Sequence, residues 1–395
     1  MNSRMRFIGA LAALILPASV AAGSALTTAT ASPAGDDTAA RSATSVSIKV
    51  LPQIAQPGAG AASSDAAKAI ARVAVSPRRT GVAVTVQAKS GTTWVNVTSA
   101  KTDKRGVVEA QVAPTRDGLP AVYRAVAQGV ASAEADLAKW GTPVFSDDFN
   151  GALSSAWTHR AQTYQPKSLR VCSKGSPKAA KTGGGTLKLS VLKDKSRKPT
   201  CKALRNGKKR GPFAYRLNGH VSTENSFSFT YGVAAARIKF QPKEGQHASF
   251  WMQPHSAVSG GFGPTYTGAE IDVIEWFGAG KDSGGLTQFT YHNASWTKRV
   301  KTGGHIPNVD RFLTSKKDSW FKRYHVFSVE WTPSEYIFYI DGQESWRSNK
   351  GISHRPQFLI LSLLSSDYEI AKAGDRGLGS QSTSIDWIRV WQPQA

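Results

Sequence analysis

The segment Glu270-Ile271-Asp272-Val273-Ile274-Glu275 places three carboxylates within six residues of an otherwise apolar, β-branched run. Isoleucine and valine favour a β-strand, whose successive side chains alternate between two faces. Glu270 and Asp272 therefore share one face, and strict alternation would send Glu275 to the other. One extra residue at Val273-Ile274, a β-bulge, returns Glu275 to the first face. Such a strand is a poor structural element, because like charges repel and each carboxylate costs free energy to desolvate.

The same arrangement suits acid–base chemistry on a glycosidic bond. A retaining glycosidase needs two carboxylates about 5–5.5 Å apart, one ionised and one protonated. In this interpretation Glu270 is the nucleophile and Glu275 is the acid/base. We expect Asp272 to hydrogen-bond to Glu270, and the crowded negative field to raise the pKa of Glu275. The alternative is an exposed strand with a solvated acidic face.

The run EIDVIEWFG resembles the glutamate-x-aspartate-x-x-glutamate signature of glycoside hydrolase family 16, in the bulged form shared by laminarinases, agarases and carrageenases. Further stretches resemble strands of that family in the expected order: Gly219–Thr223, Tyr231–Gly232, Ala236–Lys239, Phe250–Met252, Val329–Pro333, Phe338–Gly342 and Ser384–Trp391. The resemblance covers residues 143–393. Together with the alternating strands and turn residues, it implies an all-β fold in which two antiparallel sheets form a concanavalin-A-like jelly roll with a cleft on the concave sheet.

The N-terminal third predicts three further regions. Residues 1–31, with Arg4 and Arg6 before an apolar run, are typical of a secretory signal peptide, so we expect a secreted, extracellular protein. Residues 32–45 have the composition of a disordered linker. Residues 46–138 predict a small immunoglobulin-like or fibronectin-like β-sandwich. Its predicted strands are Ser45–Val50, Ala71–Val75, Val82–Ala88, Thr93–Val97, Val107–Val112 and Ala121–Ala127.

A spacer or accessory role fits this sandwich better than carbohydrate binding, which remains the alternative. A binding module displays several aromatic platforms, and only Trp94 and Tyr123 are candidates here. Trp94 lies in a turn-to-strand context that favours the core.

Candidate substrate-binding residues surround the acidic strand. Sugar rings stack on aromatic side chains, so we expect Trp251 and Trp276 to be subsite platforms, with the core as the alternative for each. Gln253 shares a strand face with Trp251 and is a candidate hydrogen-bond partner for sugar hydroxyls. The family resemblance implies that His292, followed by Asn293, lies near the acid/base; a structural histidine is the alternative. Trp296 and Trp346 are predicted to be loop aromatics at outer subsites.

Catalysis of this kind needs no metal or other cofactor. The family resemblance nevertheless implies a structural calcium site on the convex face, for which Asp148 and Asp386 are at the matching positions. The family's laminarinases usually have Glu where Asp148 stands, and two surface acids are the alternative.

The chain has two cysteines, Cys172 and Cys201. In an oxidising compartment we expect them to form one disulfide, which would stabilise the fold by a few kcal/mol. A catalytic thiol is disfavoured because neither cysteine has a nucleophile signature around it.

The formal net charge is +23, and residues 160–211 contain sixteen Lys or Arg against one Asp. Three interpretations are open: adhesion to anionic cell-wall or matrix polymers, a sulfated or uronic-acid substrate, and nucleic-acid binding. The last is disfavoured because no nucleic-acid-binding motif appears. We expect a polysaccharide substrate but no nucleic-acid or membrane partner. We also expect the protein to be a monomer.

Taken together, the sequence predicts a secreted retaining endo-glycosidase that hydrolyses internal β-1,3 or mixed β-1,3/1,4 glucosidic bonds by double displacement. An agarase-like or carrageenase-like endo-galactanase is the first alternative, because the signature is common to all of these enzymes. A non-catalytic lectin on the same sandwich is the second. Such lectins typically lack the acids that Glu270, Asp272 and Glu275 provide.

Overall fold

The computed structural model of the chain describes residues 44–165, 170–255, 267–279, 285–295, 297–376 and 378–394. The predicted signal peptide and most of the predicted linker lie outside these ranges. Within them the regular structure is almost entirely β-strand, which confirms the all-β fold class. No helix of the described residues is long and apolar enough to cross a membrane.

The N-terminal module is a small β-sandwich. Its strands are β1 (Ser45–Ala55), β2 (Lys68–Ser76), β3 (Ala83–Ser90), β4 (Thr93–Lys101), β5 (Val107–Val112), β6 (Thr115–Arg116), β7 (Leu119–Pro120), β8 (Tyr123–Ala127) and β9 (Val130–Ala131). The sheets β1-β2-β5 and β4-β3-β8-β9 enclose a core of Val and Ala around Tyr123, and β6 pairs with β7. Trp94 differs from its prediction, because it is half-buried outside this core with the Arg124 guanidinium 4.4 Å from its ring centre.

The rest of the chain forms the jelly roll. Its strands are β10 (Phe145–Asp147), β11 (Thr158–His159), β12 (Ser173–Gly175), β13 (Ala180–Thr182), β14 (Leu187–Lys193), β15 (Cys201–Arg205), β16 (Lys208–Phe213), β17 (Arg216–Ser222), β18 (Gly232–Lys239), β19 (His247–Gln253), β20 (Ala269–Trp276), β21 (Leu286–Asn293), β22 (Arg299–His305), β23 (His325–Trp331), β24 (Tyr336–Ile340), β25 (Gln343–Ser348), β26 (Phe358–Leu364) and β27 (Ser382–Trp391). Helix α1 spans Asp367–Ala373, and short 3-10 helices span Ser64–Ala66, Pro177–Ala179 and Val309–Phe312.

Two layers result from this strand order. The front sheet runs β22-β21-β20-β19-β26-β17 and the back sheet runs β14-β27-β18-β23-β24-β25. The end of β14 pairs with the start of β17 and joins the two sheets along one edge. Phe250, Ile271 and Leu361 of the front sheet share one apolar core with Phe327 and Ile388 of the back sheet. The acidic strand β20 thus lies inside the front sheet, between β19 and β21.

The N-terminal module covers the outer face of the back sheet. Leu51, Ile54 and Ile70 of the module form one buried cluster with Trp387 and Trp391 of β27. Burial of such aliphatic and indole surface favours association by roughly 25 cal/mol per Å². The module is therefore packed against the jelly roll as a third layer.

The predicted disulfide between Cys172 and Cys201 is confirmed. It joins the segment before β12 to the hairpin β15–β16, and both pack on α1. The Asp367 carboxylate accepts hydrogen bonds from the backbone N–H groups of Cys172 and Leu204, each at 3.1 Å. These contacts fix the chain next to Arg170 at one side of the front sheet.

Candidate active site

The bulge predicted for β20 is present. The pairing of β20 with β21 shifts register between Asp272 and Glu275. Val273 and Ile274 both lie in the main core, although they are consecutive. The extra residue therefore brings Glu275 to the same open face as Glu270 and Asp272.

The bulge is tied to both sheets through one side chain. Gln288 of β21 donates a hydrogen bond from Nε2 to the carbonyl oxygen of Val273 at 3.1 Å. Its Oε1 accepts one from the Ser345 hydroxyl of β25 at 2.7 Å. The orientation of Glu275 consequently depends on how the two sheets pack, as well as on the sequence of β20.

The three carboxylates have different partners. Glu270 Oε2 accepts a hydrogen bond from Arg299 Nη2 at 3.0 Å, and Glu275 Oε1 accepts one from the Ser249 hydroxyl at 3.0 Å. Asp272 is buried, and among the described residues its Oδ2 has no hydrogen-bond partner. The ion pair of Glu270 is thus with Arg299, whereas the sequence predicted a bond from Asp272.

Burial is the main reason why the pKa values of these acids are raised. It raises the pKa of Asp272 well above its ordinary value, and the neighbouring Glu270 and Glu275 raise it further. Burial also raises the pKa of Glu275, with smaller opposing effects from His247 and Ser249. This corrects the sequence prediction, which named the field of the other carboxylates as the cause for Glu275. The pKa of Glu270 is raised by burial against the opposing charge of Arg299.

Basic side chains on both sides of β20 offset the negative charge of its carboxylates. Lys301 of β22 lies 3.7 Å above the Phe289 ring and lowers the pKa of Asp272 against the effect of its burial. On the other side His247 Nδ1 lies 2.8 Å from Glu369 Oε2 of α1. Burial opposes a charge on His247, but Glu369 raises its pKa above the ordinary value. On this face the effect of burial on the carboxyl pKa values is therefore opposed by nearby positive charge.

Trp251 lies where the sequence predicts it. It pairs with Asp272 across β19 and β20 and is half-buried on the open face. Its Nε1 donates to the Ser362 hydroxyl at 3.2 Å, which fixes the ring. Gln253 is on the same face, and its Oε1 accepts from Arg160 Nη2 at 3.4 Å. Trp251 has the exposure and rigidity that a sugar platform requires.

Trp276 is not a platform, contrary to the prediction. It is 2 % exposed and stacks on Phe240 inside the core, with Nε1 donating to the Gln241 carbonyl at 2.6 Å. Regular alternation of side chains resumes at Glu275, after the bulge. Trp276 must therefore point to the core face, opposite to Glu275.

His292 also differs from its prediction. Tyr291 pairs with Glu270 and so shares its face, which places His292 on the other side of β21. There its ring packs so closely on Gly351 that a Cβ at that glycine would lie 2.2 Å from Nδ1. Asn293 follows on the open face, paired with Arg299. Tyr291 is the residue that sequence reasoning missed, although alternation from Asn293 could have found it.

Of the two predicted outer aromatics, Trp346 is not a loop residue of the cleft. Trp346 belongs to β25 of the back sheet, where its ring centre lies 4.8 Å from that of Phe338. Trp296 lies outside the described residues.

Asp148 and Asp386 border one cavity of about 380 Å³. Both Asp148 oxygens accept from the Ser64 hydroxyl at 2.8 Å, while Asp386 is ion-paired with Arg237 and accepts from the Ala62 N–H. Calcium needs six to eight oxygen ligands with available lone pairs. Asp386 is already neutralised by the Arg237 cation, which would repel calcium, and the single Ser64 hydroxyl hydrogen is directed at Asp148, so the residues as arranged do not fit calcium. No cluster of three or more His, Cys, Asp or Glu suited to a metal occurs in the described ranges.

Two packed antiparallel sheets with a bulged triad of acids on the open face define a β-jelly-roll glycoside hydrolase. A family model for the glycosyl hydrolases family 16 matches residues 171–389, and the chain belongs to that family.

The relatives found by sequence are distant. The chain is 22 % identical over 273 residues to glucan endo-1,3-beta-glucosidase A1 of Niallia circulans, covering 64 % of this chain and 38 % of that protein. It is 29 % identical over 134 residues to a beta-glucanase of Rhodothermus marinus, covering 33 % and 42 %. The chain thus spans less than half the length of these relatives. The laminarinase catalytic domain of Thermotoga maritima is similar at 20 % identity and a TM-score of 0.48, covering 65 % of this chain and 100 % of that one.

The hydrogen bond from Gln288 to the Val273 carbonyl oxygen predicts the effect of Gln288→Met. The variant keeps the side-chain volume but leaves the Val273 carbonyl without its donor, at a cost of about 1–3 kcal/mol in unfolding free energy. We expect kcat to fall about tenfold or more with little change in KM, because Glu275 is displaced while Trp251 is not. Steady-state kinetics and urea unfolding measure both quantities. An unchanged kcat in a destabilised variant would show that the bulge does not need this bond.

The ion pair of Glu270 predicts the pH profile of Arg299→Met. Arg299 lowers the pKa of Glu270, so its removal raises that pKa further. A nucleophile must be ionised, and the acid limb of the kcat/KM profile should therefore move to higher pH. Arg299→Lys keeps the charge and should move the limb less. A profile that is the same in wild type and Arg299→Met would contradict the assignment of Glu270.

The donors around Asp386 predict that calcium is not required for stability. Addition of calcium or EDTA should shift the melting temperature by less than about 1 °C, because Asp386 is already paired with Arg237. Arg237→Met should lower it by several degrees, since it leaves a buried carboxylate unpaired. A rise of several degrees on adding calcium would show that the family's metal site is retained.

Proposed function

We propose that this protein is a secreted retaining endo-glycosidase that hydrolyses internal β-1,3 or mixed β-1,3/1,4 bonds of a β-glucan. The observation that carries the proposal is the bulged strand, which presents Glu270, Asp272 and Glu275 on one open face beside Trp251. The printed names of the two sequence relatives, a glucan endo-1,3-beta-glucosidase and a beta-glucanase, support the choice of substrate. The disulfide supports export, because such bonds persist in oxidising compartments.

Each carboxylate has one role in this mechanism. Glu270, with its charge stabilised by Arg299, attacks the anomeric carbon while Glu275 donates its proton to the leaving oxygen. The glycosyl-enzyme is then opened by water, from which Glu275 removes a proton. Asp272 stays protonated between them and limits the charge repulsion when Glu270 is ionised.

The experiment is reducing-end release from laminarin, curdlan, lichenan, agarose and κ-carrageenan by wild type, Glu270→Gln and Glu275→Gln. We expect release from the glucans, and less than a few per cent of it from Glu270→Gln, because the amide cannot form the glycosyl-enzyme. Glu275→Gln should keep the first step on aryl glycosides with good leaving groups, which need no proton, and release a burst of phenol, whereas turnover should stay slow because the attacking water has lost its base.

The same panel separates the alternatives. Release from the galactans alone would identify an endo-galactanase, and binding without release by wild type would identify a lectin. Proton NMR of the first product distinguishes retention from inversion of the anomeric configuration. Initial release of the inverted anomer would refute double displacement.

A further inference from the structure

Strand β25 of the back sheet carries a second β-bulge. Its pairing with β24 shifts register between Glu344 and Trp346, so Ser345 between them is the extra residue. The Ser345 hydroxyl donates to Gln288 Oε1 at 2.7 Å, and Gln288 donates from Nε2 to the Val273 carbonyl oxygen at 3.1 Å. Gln288 therefore joins the bulge of β20 to the bulge of β25 across the sandwich.

The N-terminal module binds β25 next to its bulge. β25 is the last strand of the back sheet and pairs with β24 alone. The backbone N–H of Glu344 donates a hydrogen bond to Glu109 Oε2 of β5 at 3.0 Å. A backbone N–H on the free edge of a sheet has no further strand to bond to. A carboxylate of the module takes that place here, one residue before the extra residue of the bulge.

Ion pairs reinforce this contact. Arg72 Nη2 of the module donates to Glu344 Oε2 at 3.1 Å, and Arg105 Nη1 lies 2.8 Å from Glu344 Oε1. The same two arginines lie 3.4 Å from the oxygens of Glu109. Arg347 of β25 adds bonds of 2.8 and 2.6 Å to Glu344. The side chains of Glu109 and Glu344 are only 7 % and 6 % exposed, so water cannot readily replace these partners.

The contact with the module continues to the acid/base through a short series of bonds. Glu344 precedes Ser345, whose hydroxyl holds Gln288. Because Gln288 is 1 % exposed, a shift of Ser345 either moves the amide or leaves it without its donor. Either change alters the bond to the Val273 carbonyl oxygen. The direction of Glu275, two residues further along β20, depends on that bond.

We propose that Glu109 of the N-terminal module is a positioning residue for the acid/base Glu275. By accepting the Glu344 N–H it keeps the bulge of β25 in place, and the Ser345–Gln288 pair carries this constraint to the bulge of β20. The inference rests on the proposed function, which assigns Glu275 its role. It makes the module, besides its packing on the back sheet, a requirement of the chemical step.

The first test is a double-mutant cycle in the full-length protein, because only such a cycle measures coupling along a series of contacts. Glu109→Met removes the acceptor at nearly constant side-chain volume. We expect kcat on the β-glucan to fall about fivefold with little change in KM, because Trp251 lies on β19 and keeps its place. In the Gln288→Met background, where the link is already cut, the same substitution should lower kcat by less than about 1.5-fold.

The leaving group distinguishes displacement of the acid from a general loss of activity. An aryl glycoside with a good leaving group needs no proton from Glu275, so the rate of its phenol burst should be unchanged in Glu109→Met. An aryl glycoside with a poor leaving group should lose as much rate as the glucan. Glu109→Gln keeps an acceptor oxygen for the Glu344 N–H and should retain most of kcat.

Leu51→Ala is the matched control within the module. Leu51 is buried against Trp387 and Trp391 of β27, in a different part of the contact with the back sheet. The substitution leaves a cavity and should lower the melting temperature at unchanged kcat. Melting curves of all variants check folding.

Hydrogen exchange tests the same link without turnover. Peptides that span β20 and β21 should exchange faster in Glu109→Met than in wild type, because the bulge opens more often once Ser345 is released. In Leu51→Ala the exchange of these peptides should equal that of wild type.

Equal falls in kcat in the wild-type and Gln288→Met backgrounds would overturn the inference. An equal fall in Leu51→Ala would do so too, since it would assign the effect to reduced stability. A wild type that hydrolyses β-glucan, with kcat and exchange unchanged in Glu109→Met, would refute the inference and leave the proposed function standing. Faster exchange of β20 in Glu109→Met, in a protein whose wild type hydrolyses no glycan, would support the link to the bulge and refute the role of Glu275.

Discussion

The rest of the structure depends on burying three acids on one strand. A carboxylate costs several kcal/mol to remove from water, and neighbouring negative charges increase that cost. The chain meets the cost in two ways. Burial raises the pKa of the carboxyl groups, most strongly that of Asp272. Cations approach from both sides, with Arg299 and Lys301 on β22 and His247 on β19. The partners of the three acids therefore differ, as division of roles between two carboxylates requires.

The bulge that aligns these acids is a property of two sheets. In an isolated strand, consecutive Val273 and Ile274 would face opposite sides; here the core accepts both. The Val273 carbonyl, displaced from regular pairing, is satisfied by Gln288, which is in turn bonded to Ser345 of the back sheet. Sheet packing thus determines where the Glu275 carboxylate points, and the back sheet contributes to the candidate site without contacting it.

The N-terminal module contributes to the same rigidity from behind. Its residues Leu51 and Ile70 bury Trp387 and Trp391, which otherwise would form an apolar surface on the back sheet. Arg237 extends this contact by pairing with Asp386 and by donating to the backbone carbonyl of Gln56. The strands of this module are predicted well from the sequence. The module as a whole supports the back sheet of the jelly roll. Its docking could not be predicted, because apolar residues on a strand do not indicate which partner covers them.

The sequence by itself determined the acidic strand and the disulfide, whereas the bulge also depends on how the two sheets pack. The strand and the disulfide follow from local alternation of side chains and from the presence of two cysteines, which can pair only with each other. Alternation of side chains also places Trp276, one residue beyond Glu275, on the core face, where the structure has it. Only the tertiary structure decided the place of His292 and of Arg160. The face of His292 is set by the register between β20 and β21, and Arg160 meets Trp251 across 91 residues of chain, so both depend on long-range packing.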